Sequence, residues 1–223
     1  MTETSTFRPA LRPGPVILAG RYGRVEKLDP GRHFVSLWEA FGTSPATWDY
    51  MPYGPFDDAR AFQAWLSGRA TLDDPYVYAI VAPDGRTLGI AALMAIRPDM
   101  GVIEVGHIAY APALQRTPLG TEAQYLLGRY AFETLGYRRY EWKCNALNTA
   151  SRRAAERYGF TFEGIFRQHM IVKGKNRDTA WFSILDSEWP ARKLAFERWL
   201  APSNFDSEGR QKASLTSITA SGQ

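Results

Sequence analysis

The stretch YAPALQRTPLGTEA, residues 110–123, decides the fold, because the sequence pattern changes there from strands to a helix. Before this stretch, apolar runs separated by turn residues predict three antiparallel strands. These runs are residues 76–82, 88–96 and 101–111. After Pro118 the apolar residues recur at helical spacing until Gly136, a typical residue for a helix end. The stretch therefore joins the last of the three strands to a helix.

The rest of the chain predicts further elements of both kinds, and hence one α/β domain. Strands are predicted within residues 15–28 and at 138–145, 160–172 and 177–185, and helices at 32–41, 58–70, 148–158 and 188–200. We assign residues 15–200 to this domain and expect residues 1–14 to form an irregular leader. Residues 201–223 are rich in Ser, Thr, Ala and Gly, which predicts a disordered tail.

Composition and charge argue against several classes of protein. Hydrophobic residues make up 45% of the 223 residues, as in an ordinary globular protein, and no run of about 18 apolar residues indicates a membrane span. The first residues lack the apolar segment of a secretory signal, so we expect a cytoplasmic protein. The single cysteine and three scattered histidines show no metal-ligand spacing, so no metal is expected. The net charge of +4 comes from dispersed arginines, so we expect no direct nucleic-acid binding.

Residues 110–123 also give the first indication of chemistry. The first turn of a helix presents backbone N–H groups without internal partners, and the helix dipole adds positive character, so a pyrophosphate can bind there. Arg116 offers a charge, and Gly120 allows a ligand to approach the backbone closely. The hydroxyl groups of Thr117 and Thr121 are further donors. The alternative is an ordinary turn between a strand and a helix, with Pro118 at the helix start.

The same stretch resembles the main cofactor motif of the GNAT acetyltransferases, Gln/Arg-x-x-Gly-x-Gly/Ala. Gln115, Pro118 and Gly120 occupy its three defined positions, and residues 121–123, Thr-Glu-Ala, are typical of the RimJ/RimL-like branch, which acetylates protein N-termini. Pro118 departs from the motif, since proline replaces a glycine and removes one backbone N–H from the pyrophosphate cradle. Proline suits the first turn of a helix, so the geometry can be retained.

A second stretch carries the same resemblance. The family pattern Asn-x-x-Ser-x-x-x-x-Glu-x-x-Gly-Phe-x-x-Glu-Gly matches residues 148–164, beginning with Asn148 and Ser151. With both motifs present, the resemblance extends over residues 15–190. It implies an α/β (α+β) GNAT fold, in which a mixed central sheet of about seven strands is flanked by helices and splayed between its fourth and fifth strands.

The resemblance implies acetyl-CoA as the acetyl donor, with its pantetheine between two splayed parallel strands, residues 102–110 and 139–144. The backbone near Ile108, Ala109 and Tyr110 is implied to pair with the pantetheine and to polarise the thioester carbonyl. The other implied cofactor contacts are Gln115, Arg116, Thr117, Leu119, Gly120, Thr121, Asn148, Ser151 and Arg152.

The resemblance also implies direct attack of a primary amine on the thioester carbonyl. Many relatives protonate the leaving thiolate with a tyrosine, but that position is Ala155 here. RimL-like enzymes instead carry a serine three residues after the motif asparagine, and this resemblance implies Ser151 as the acid. Glu104 or His107 is the candidate base, and regular alternation along a strand predicts that they face opposite sides of the sheet. The structural alternatives are helix capping for Ser151 and core packing for His107. Met170 replaces a glutamate of RimL-like enzymes, which leaves a ribosomal-protein substrate open.

An aromatic loop is implied to line the acceptor side of this fold. The candidate substrate contacts are Trp48, Tyr50, Tyr53 and Phe56. The acceptor is a protein N-terminus or a small-molecule amine, and the enzyme a monomer or homodimer. Because Pro118, Ala155 and Met170 depart from the family, the alternative is an acyl-CoA-binding module with a regulatory role and no turnover.

Overall fold

The described residues form one sheet of eight strands. The structure, a computed structural model, describes residues 7–42 and 44–221. The strands are β1 (Ile17–Ala19), β2 (Arg24–Lys27), β3 (Tyr76–Val81), β4 (Thr87–Arg97), β5 (Val102–Tyr110), β6 (Arg139–Asn145), β7 (Thr161–Val172) and β8 (Lys175–Leu185). They lie in the order β1-β2-β3-β4-β5-β6-β8-β7, and among the described pairs only β5 and β6 run parallel.

Six helices flank the sheet in the described part of the chain. They are α1 (Pro30–Leu37), α2 (Ala59–Ala70), α3 (Pro118–Arg129), α4 (Thr149–Arg157), α5 (Trp189–Leu200) and α6 (Leu215–Ser221). Asp29, Asp58, Thr117 and Asn148 cap the first four, because each side chain accepts from a backbone amide of the first turn. None of these described helices is both long and apolar enough to cross a membrane.

The helices cover the two faces of the sheet unequally. α3, α4 and α5 pack on one face, where Leu126, Ala155 and Phe196 belong to a large apolar cluster with the strands. α1 and α2 pack on the other face around β3 and β4, where Phe62 and Leu66 are fully buried. Burial of each such large side chain contributes about 1.5–3 kcal/mol. This arrangement leaves room for a site beside β6 and β8 on the second face.

The strands β5 and β6 separate along their length. Their register runs from Val102 opposite Arg139 to Val105 opposite Trp142, and no further pair follows in these described strands. Because β5 continues to Tyr110 and β6 continues to Asn145, a wedge opens between their carboxyl ends. A strand edge without a neighbour exposes backbone N–H and C=O groups, which an extended ligand can bind.

The predicted fold class is confirmed, since a mixed sheet is flanked by helices and splayed between two parallel strands. The count is eight strands instead of about seven, because β1 and β2 are separate antiparallel strands. The splayed pair is therefore fifth and sixth in chain order, and not fourth and fifth.

Residues 201–221 are ordered, contrary to the prediction of a disordered tail. Phe205 pairs with Gln211, and α6 buries Leu215 to 1% exposure. The ring of Phe205 also packs edge-on against Trp199 of α5, with the ring centres 5.2 Å apart. The prediction used the average composition of the segment, in which these few apolar side chains carry little weight. They nevertheless hold the segment against α5.

The start of the chain is irregular where it is described. Residues 7–14 form no helix or strand, but the amides of Ala10 and Leu11 bond to the carbonyl groups of Pro98 and Leu135 at 3.1 and 2.8 Å. The rest of the predicted leader, residues 1–6, and the last two residues of the predicted tail lie outside the described residues.

Candidate functional site

A bulge in β5 shapes the wedge. Between Gly106 and Ala109, β5 takes three residue steps where β4 takes two. The extra residue is accommodated at His107, whose φ of 49° lies in the left-handed region.

Glu104 and His107 were predicted to face opposite sides of the sheet, but both lie on the face that α1 and α2 cover. The neighbours of Glu104, Ile103 and Val105, belong to the cluster on the other face, and His107 stacks on Tyr53 of the α1/α2 side. The prediction was wrong because it assumed regular alternation along an unbroken strand.

A cavity of about 380 Å³ lies at the wedge and reaches both faces of the sheet. Trp142 and Cys144 of β6 are buried against the helices, whereas Lys143 between them points the other way, beside Trp181 of β8. We call the first side the helix face, formed by Trp142, Cys144, Asn148 and Ser151. We call the second side the open face, formed by Glu104, Lys143, Arg177, Thr179 and Trp181.

Ser151 lies on the helix face in the first turn of α4. Its amide donates to Oδ1 of Asn148 at 3.0 Å, so Asn148 is the helix cap. The Ser151 hydroxyl oxygen accepts from Nε1 of Trp142 at 3.0 Å, which leaves the hydroxyl hydrogen available to another acceptor. That hydroxyl lies close to the Cys144 thiol, whose pKa is raised by burial. Ser151 thus presents a hydroxyl hydrogen at the cavity, beside the buried Cys144 thiol.

Glu104 lies on the open face within a chain of opposite charges. Nζ of Lys143 contacts Oε2 of Glu104 at 2.8 Å and Oε2 of Glu141 at 2.7 Å. Burial raises the pKa of Glu104, and the charge of Lys143 partly opposes that rise. Lys143 also lies over the ring of Trp181, 4.1 Å from its centre. Glu104 is therefore a fixed carboxylate at the cavity with a pKa above its ordinary value.

His107 is held against the aromatic loop. Its Nδ1 is 2.9 Å from the hydroxyl oxygen of Tyr53, and the two rings stack with their centres 5.6 Å apart. Burial lowers the pKa of His107 to about 4, with contributions from the charges of Arg69 and Arg177. The imidazole is therefore neutral near pH 7 and a weaker base than an ordinary histidine.

The start of α3 is partly capped by its own side chains. Oγ1 of Thr117 accepts from the amide of Gly120 at 3.1 Å and donates to the carbonyl of Leu114 at 2.7 Å. The amides of Arg116 and Leu119 make no hydrogen bond with any residue that the structure describes. These two amides are therefore the donors that remain for an anion at the helix start.

The residues before α3 form a turn with two exposed polar side chains. Gln115 and Arg116 are exposed, and Nε2 of Gln115 donates to the carbonyl of Tyr110 at 2.9 Å. Pro118 occupies the first helical position, which suits its fixed φ, so the missing N–H does not disturb the helix.

Gly120 and Thr121 face inward and not toward a ligand. A Cβ atom at Gly120 would lie 2.7 Å from the carbonyl oxygen of Leu114, so the close approach is to the protein's own backbone. Thr121 is buried, and its hydroxyl accepts from Nη1 of Arg157 at 3.1 Å. The sequence had assigned these residues to direct contact, whereas the structure gives them the role of shaping the loop.

Of the other predicted cofactor residues, some border the cavity and some do not. Ile108 and Asn148 border the cavity. Ala109 is 3% exposed, and the side chain of Tyr110 is tied to α3, where its hydroxyl donates to the carbonyl of Gly120 at 3.0 Å. Arg152 does not border the cavity and lies over the ring of Phe162, 5.5 Å from its centre.

The four aromatic candidates for the acceptor side have two different placements. Tyr50 is exposed and borders the cavity, and Tyr53 reaches His107 beside it. Trp48 has 0% exposure, and Phe56 packs edge-on against it with ring centres 5.1 Å apart. The prediction of substrate contact was wrong for Trp48, because it is fully buried in the apolar cluster under α2. The prediction for Phe56, which is partly buried against the same cluster, stays a prediction.

The sequence analysis missed most of the open face. The missed residues that border the cavity include Met94, Lys143, Asn145, His169, Arg177, Thr179 and Trp181. One local signal was available, since Lys143 is a single charge between Trp142 and Cys144 in a strand. The described ranges contain no group of three or more His, Cys, Asp or Glu side chains that could hold a metal ion.

Comparisons with known proteins give consistent matches. Residues 27–161 match a family model described as an acetyltransferase (GNAT) domain. The crystal structure of a GCN5-related N-acetyltransferase from Brucella melitensis is 46% identical, with a TM-score of 0.94, over 97% of this chain and 99% of that chain. A probable acetyltransferase of the GNAT family from Chromobacterium violaceum is 41% identical, with a TM-score of 0.80, over 85% and 96% of the two chains. The Bacillus subtilis protein named "Putative ribosomal N-acetyltransferase YdaF" is 28% identical over 156 residues, which are 70% of this chain and 80% of YdaF.

Proposed function

The chain belongs to the GNAT acetyltransferase family, and we propose that it transfers the acetyl group of acetyl-CoA to a primary amine by direct attack. The observation that supports this most strongly is the wedge that opens between β5 and β6 beyond Val105 and Trp142. It offers a strand edge to an extended thioester, with Ser151 on one side and Glu104 on the other.

The residues around the wedge fit a coenzyme A thioester along its length. In the proposal, the backbone of Ile108, Ala109 and Tyr110 pairs with the pantetheine and polarises the thioester carbonyl. The unbonded amides of Arg116 and Leu119 hold the diphosphate, and the exposed Arg116 side chain adds charge. Residues with indirect or secondary roles are Gln115, Thr117, Gly120, Thr121, Asn148 and Arg152.

Ser151 is the proposed acid. Amine attack expels a thiolate, which needs a proton. The Ser151 hydroxyl accepts from Trp142, so its hydrogen remains for another acceptor, and the side chain borders the cavity at the wedge. Ser151 therefore supplies the proton in the proposed reaction.

Glu104 is the proposed base, acting through a water molecule. Its pKa is raised by burial, which brings a carboxylate closer to the pH at which it exchanges protons with an amine. The neutral His107 is bonded to the Tyr53 hydroxyl and has a pKa of about 4, so it positions the aromatic loop and does not take up the proton.

The acceptor is proposed to be a protein N-terminal amine or a small-molecule amine. The name of YdaF and the RimJ/RimL-like sequence at residues 121–123 favour the N-terminal amine. The exposed Tyr50 and Met170 at the cavity rim are accessible to a peptide. We further propose a cytoplasmic enzyme that acts as a monomer or homodimer.

The proposal is tested by incubating the protein with acetyl-CoA and a panel of peptides and small amines while free thiol is measured. Thiol release is expected with free amines and not with N-terminally blocked peptides that lack other amines. Calorimetric binding of acetyl-CoA without thiol release would support a binding module instead, and the absence of binding would contradict both functions.

A further inference from the structure

We propose that the acceptor carries a carboxylate near its amine and that Arg177 binds this carboxylate. The inference rests on the proposed acetyl transfer and narrows its substrate class. It concerns a side chain of the open face that has no function in the donor half of the reaction.

Arg177 lies where a substrate on the open face would extend away from the wedge. It is opposite Met170 on β7 and two residues before Thr179, which is opposite Asn145 at the end of β6. Residues two apart in a strand share a face, so Arg177 and Thr179 point to the same side as Trp181. All three border the cavity.

The guanidinium of Arg177 has no partner among the described residues. It forms no ion pair or hydrogen bond with them, and its Nε is buried without an acceptor. Arg139 provides the contrast within the same sheet, since it contacts the carboxylates of both Glu141 and Glu163. Burial costs this half-buried guanidinium solvation, and the charge of Glu104 compensates only in part, which favours a ligand that brings an anion.

Two carboxylates, one at the cavity and one next to Arg177 in the sequence, are already in use. Glu104 contacts Lys143 at 2.8 Å. Asp178, the next residue along β8, accepts from the amide of Gln168 at 2.7 Å and from Nδ2 of Asn176 at 2.9 Å. Among the Asp, Glu, Lys and Arg side chains that border the cavity, Glu104 pairs with Lys143, so Arg177 remains as the cation without an ion pair.

This charge pattern matches an acceptor with an amine at one end and a carboxylate at the other. Glu104, the proposed base, attracts the amine, while Arg177 attracts the carboxylate in the same cavity. The guanidinium can form two parallel hydrogen bonds with a planar carboxylate, which an amide cannot accept in the same way. Binding at both ends would direct the amine toward the wedge.

The test compares matched acceptors that differ by one charge. The first pair consists of two peptides with the same N-terminal residue, one with Asp and one with Asn at the second position. The second pair consists of an amino acid and its amide. The carboxylate member of at least one pair is expected to have a kcat/KM about 10–100-fold higher, as for a hydrogen bond between charged groups. The pair that shows this preference identifies the source of the carboxylate, a peptide side chain or a small molecule.

Arg177→Gln is expected to remove this preference, so that the ratio of kcat/KM between the two members of the pair falls to about one, whatever the rate of each member. Arg167→Gln is the charge-matched control, because Arg167 is exposed on the neighbouring β7 and does not border the cavity. It is expected to retain the preference.

Equal rates for both members of each pair in the unchanged protein, or a preference that survives Arg177→Gln, would overturn the inference while leaving acetyl transfer intact. If no acceptor is acetylated, the same compounds are titrated calorimetrically into the protein with CoA. Tighter binding of a carboxylate member that is lost in Arg177→Gln would then support the carboxylate site, and its absence would overturn it. Failure of acetyl-CoA to bind would contradict the proposed function separately.

Discussion

The two sides of the wedge differ in charge. On the helix face, Trp142, Cys144 and Ser151 are uncharged, and their hydrogen bonds stay within that face or the start of α4. On the open face, Glu104 pairs with a lysine, and Arg177 adds a charge without a partner among the described residues. One cavity therefore joins a neutral side to a charged side.

This difference corresponds to the two halves of the proposed reaction. A thioester donor is uncharged at its reacting end, and it can be held by backbone groups and a single proton donor. The amine arrives as an ammonium ion and has to lose a proton before it attacks, which requires charged groups. In the proposed reaction, the helix face thus binds the reacting end of the donor, and the open face binds the acceptor.

The largest expected effect is on kcat/KM, and it comes from replacing the proposed base on the open face. Glu104→Gln keeps the size of the side chain but cannot take up a proton, so kcat/KM is expected to fall about 10²–10⁴-fold. Glu141→Gln is the matched control, because Glu141 also contacts Lys143 but does not border the cavity. Similar losses in steady-state assays of both variants would assign the effect to the ion-pair chain and not to a base at Glu104.

The next effect tests the acid on the helix face. Ser151→Ala is expected to lower kcat about 10–100-fold, because the thiolate then leaves without a proton donor. The Kd for acetyl-CoA, measured by calorimetry, is expected to stay the same. Thr149→Ala, in the exposed first turn of the same helix, serves as the control. Weaker binding with an unchanged kcat would instead assign Ser151 to holding the donor.

A smaller effect is expected where the donor's diphosphate is proposed to bind. Gly120→Ala places a Cβ atom 2.7 Å from the Leu114 carbonyl oxygen, so the loop before α3 has to shift. We expect a loss of about 1–3 kcal/mol in the free energy of unfolding and about tenfold weaker binding of acetyl-CoA. Gly68→Ala is the control, since no atom lies within 4 Å of its added Cβ. Unchanged affinity in Gly120→Ala would separate this loop from donor binding.

The smallest effect concerns the pH dependence of stability. The folded-state pKa of His107 is about 4, below its ordinary value of 6.5, so the unfolded chain takes up a proton at a higher pH than the folded protein. The stabilisation is therefore present above pH 6.5 and is lost as the pH falls to about 4. We expect a loss of about 1–2 kcal/mol in the free energy of unfolding, which is less than the pKa shift alone would give, because solvent screens the charge of the partly exposed ring.

Urea unfolding of the unchanged protein and of His107→Gln, at pH 7.5 and at pH 4.5, checks this predicted loss of stability. The variant is expected to lose less stability on acidification than the unchanged protein. Identical losses in the two proteins would show that His107 titrates with its ordinary pKa in the folded state.

The sequence predicted the helix face far better than the open face. The cap at Asn148, the position of Ser151 and the strand-to-helix turn before Pro118 follow from neighbours along the chain, because capping and turn formation are local. The bulge at His107 and the contacts of Lys143 depend on register between strands that are distant in sequence, which no local pattern specifies. Neither could therefore be predicted from composition or spacing.

The same reasoning explains the tail and the aromatic loop. Phe205 and Leu215 are isolated apolar residues in a polar segment, and their order depends on contacts with α5 and its surroundings. Trp48 is buried and Phe56 is partly buried against α2, which follows them in the chain. In each case a tertiary contact overrides the tendency that local composition indicates.

The most direct test is a crystal structure of the protein with a non-hydrolysable analogue of acetyl-CoA. We predict that the pantetheine lies between β5 and β6 beyond Val105 and Trp142, with its sulfur beside Ser151 and its diphosphate at the amides of Arg116 and Leu119. An analogue bound at another surface, or strands β5 and β6 paired along their full length in the complex, would contradict the account.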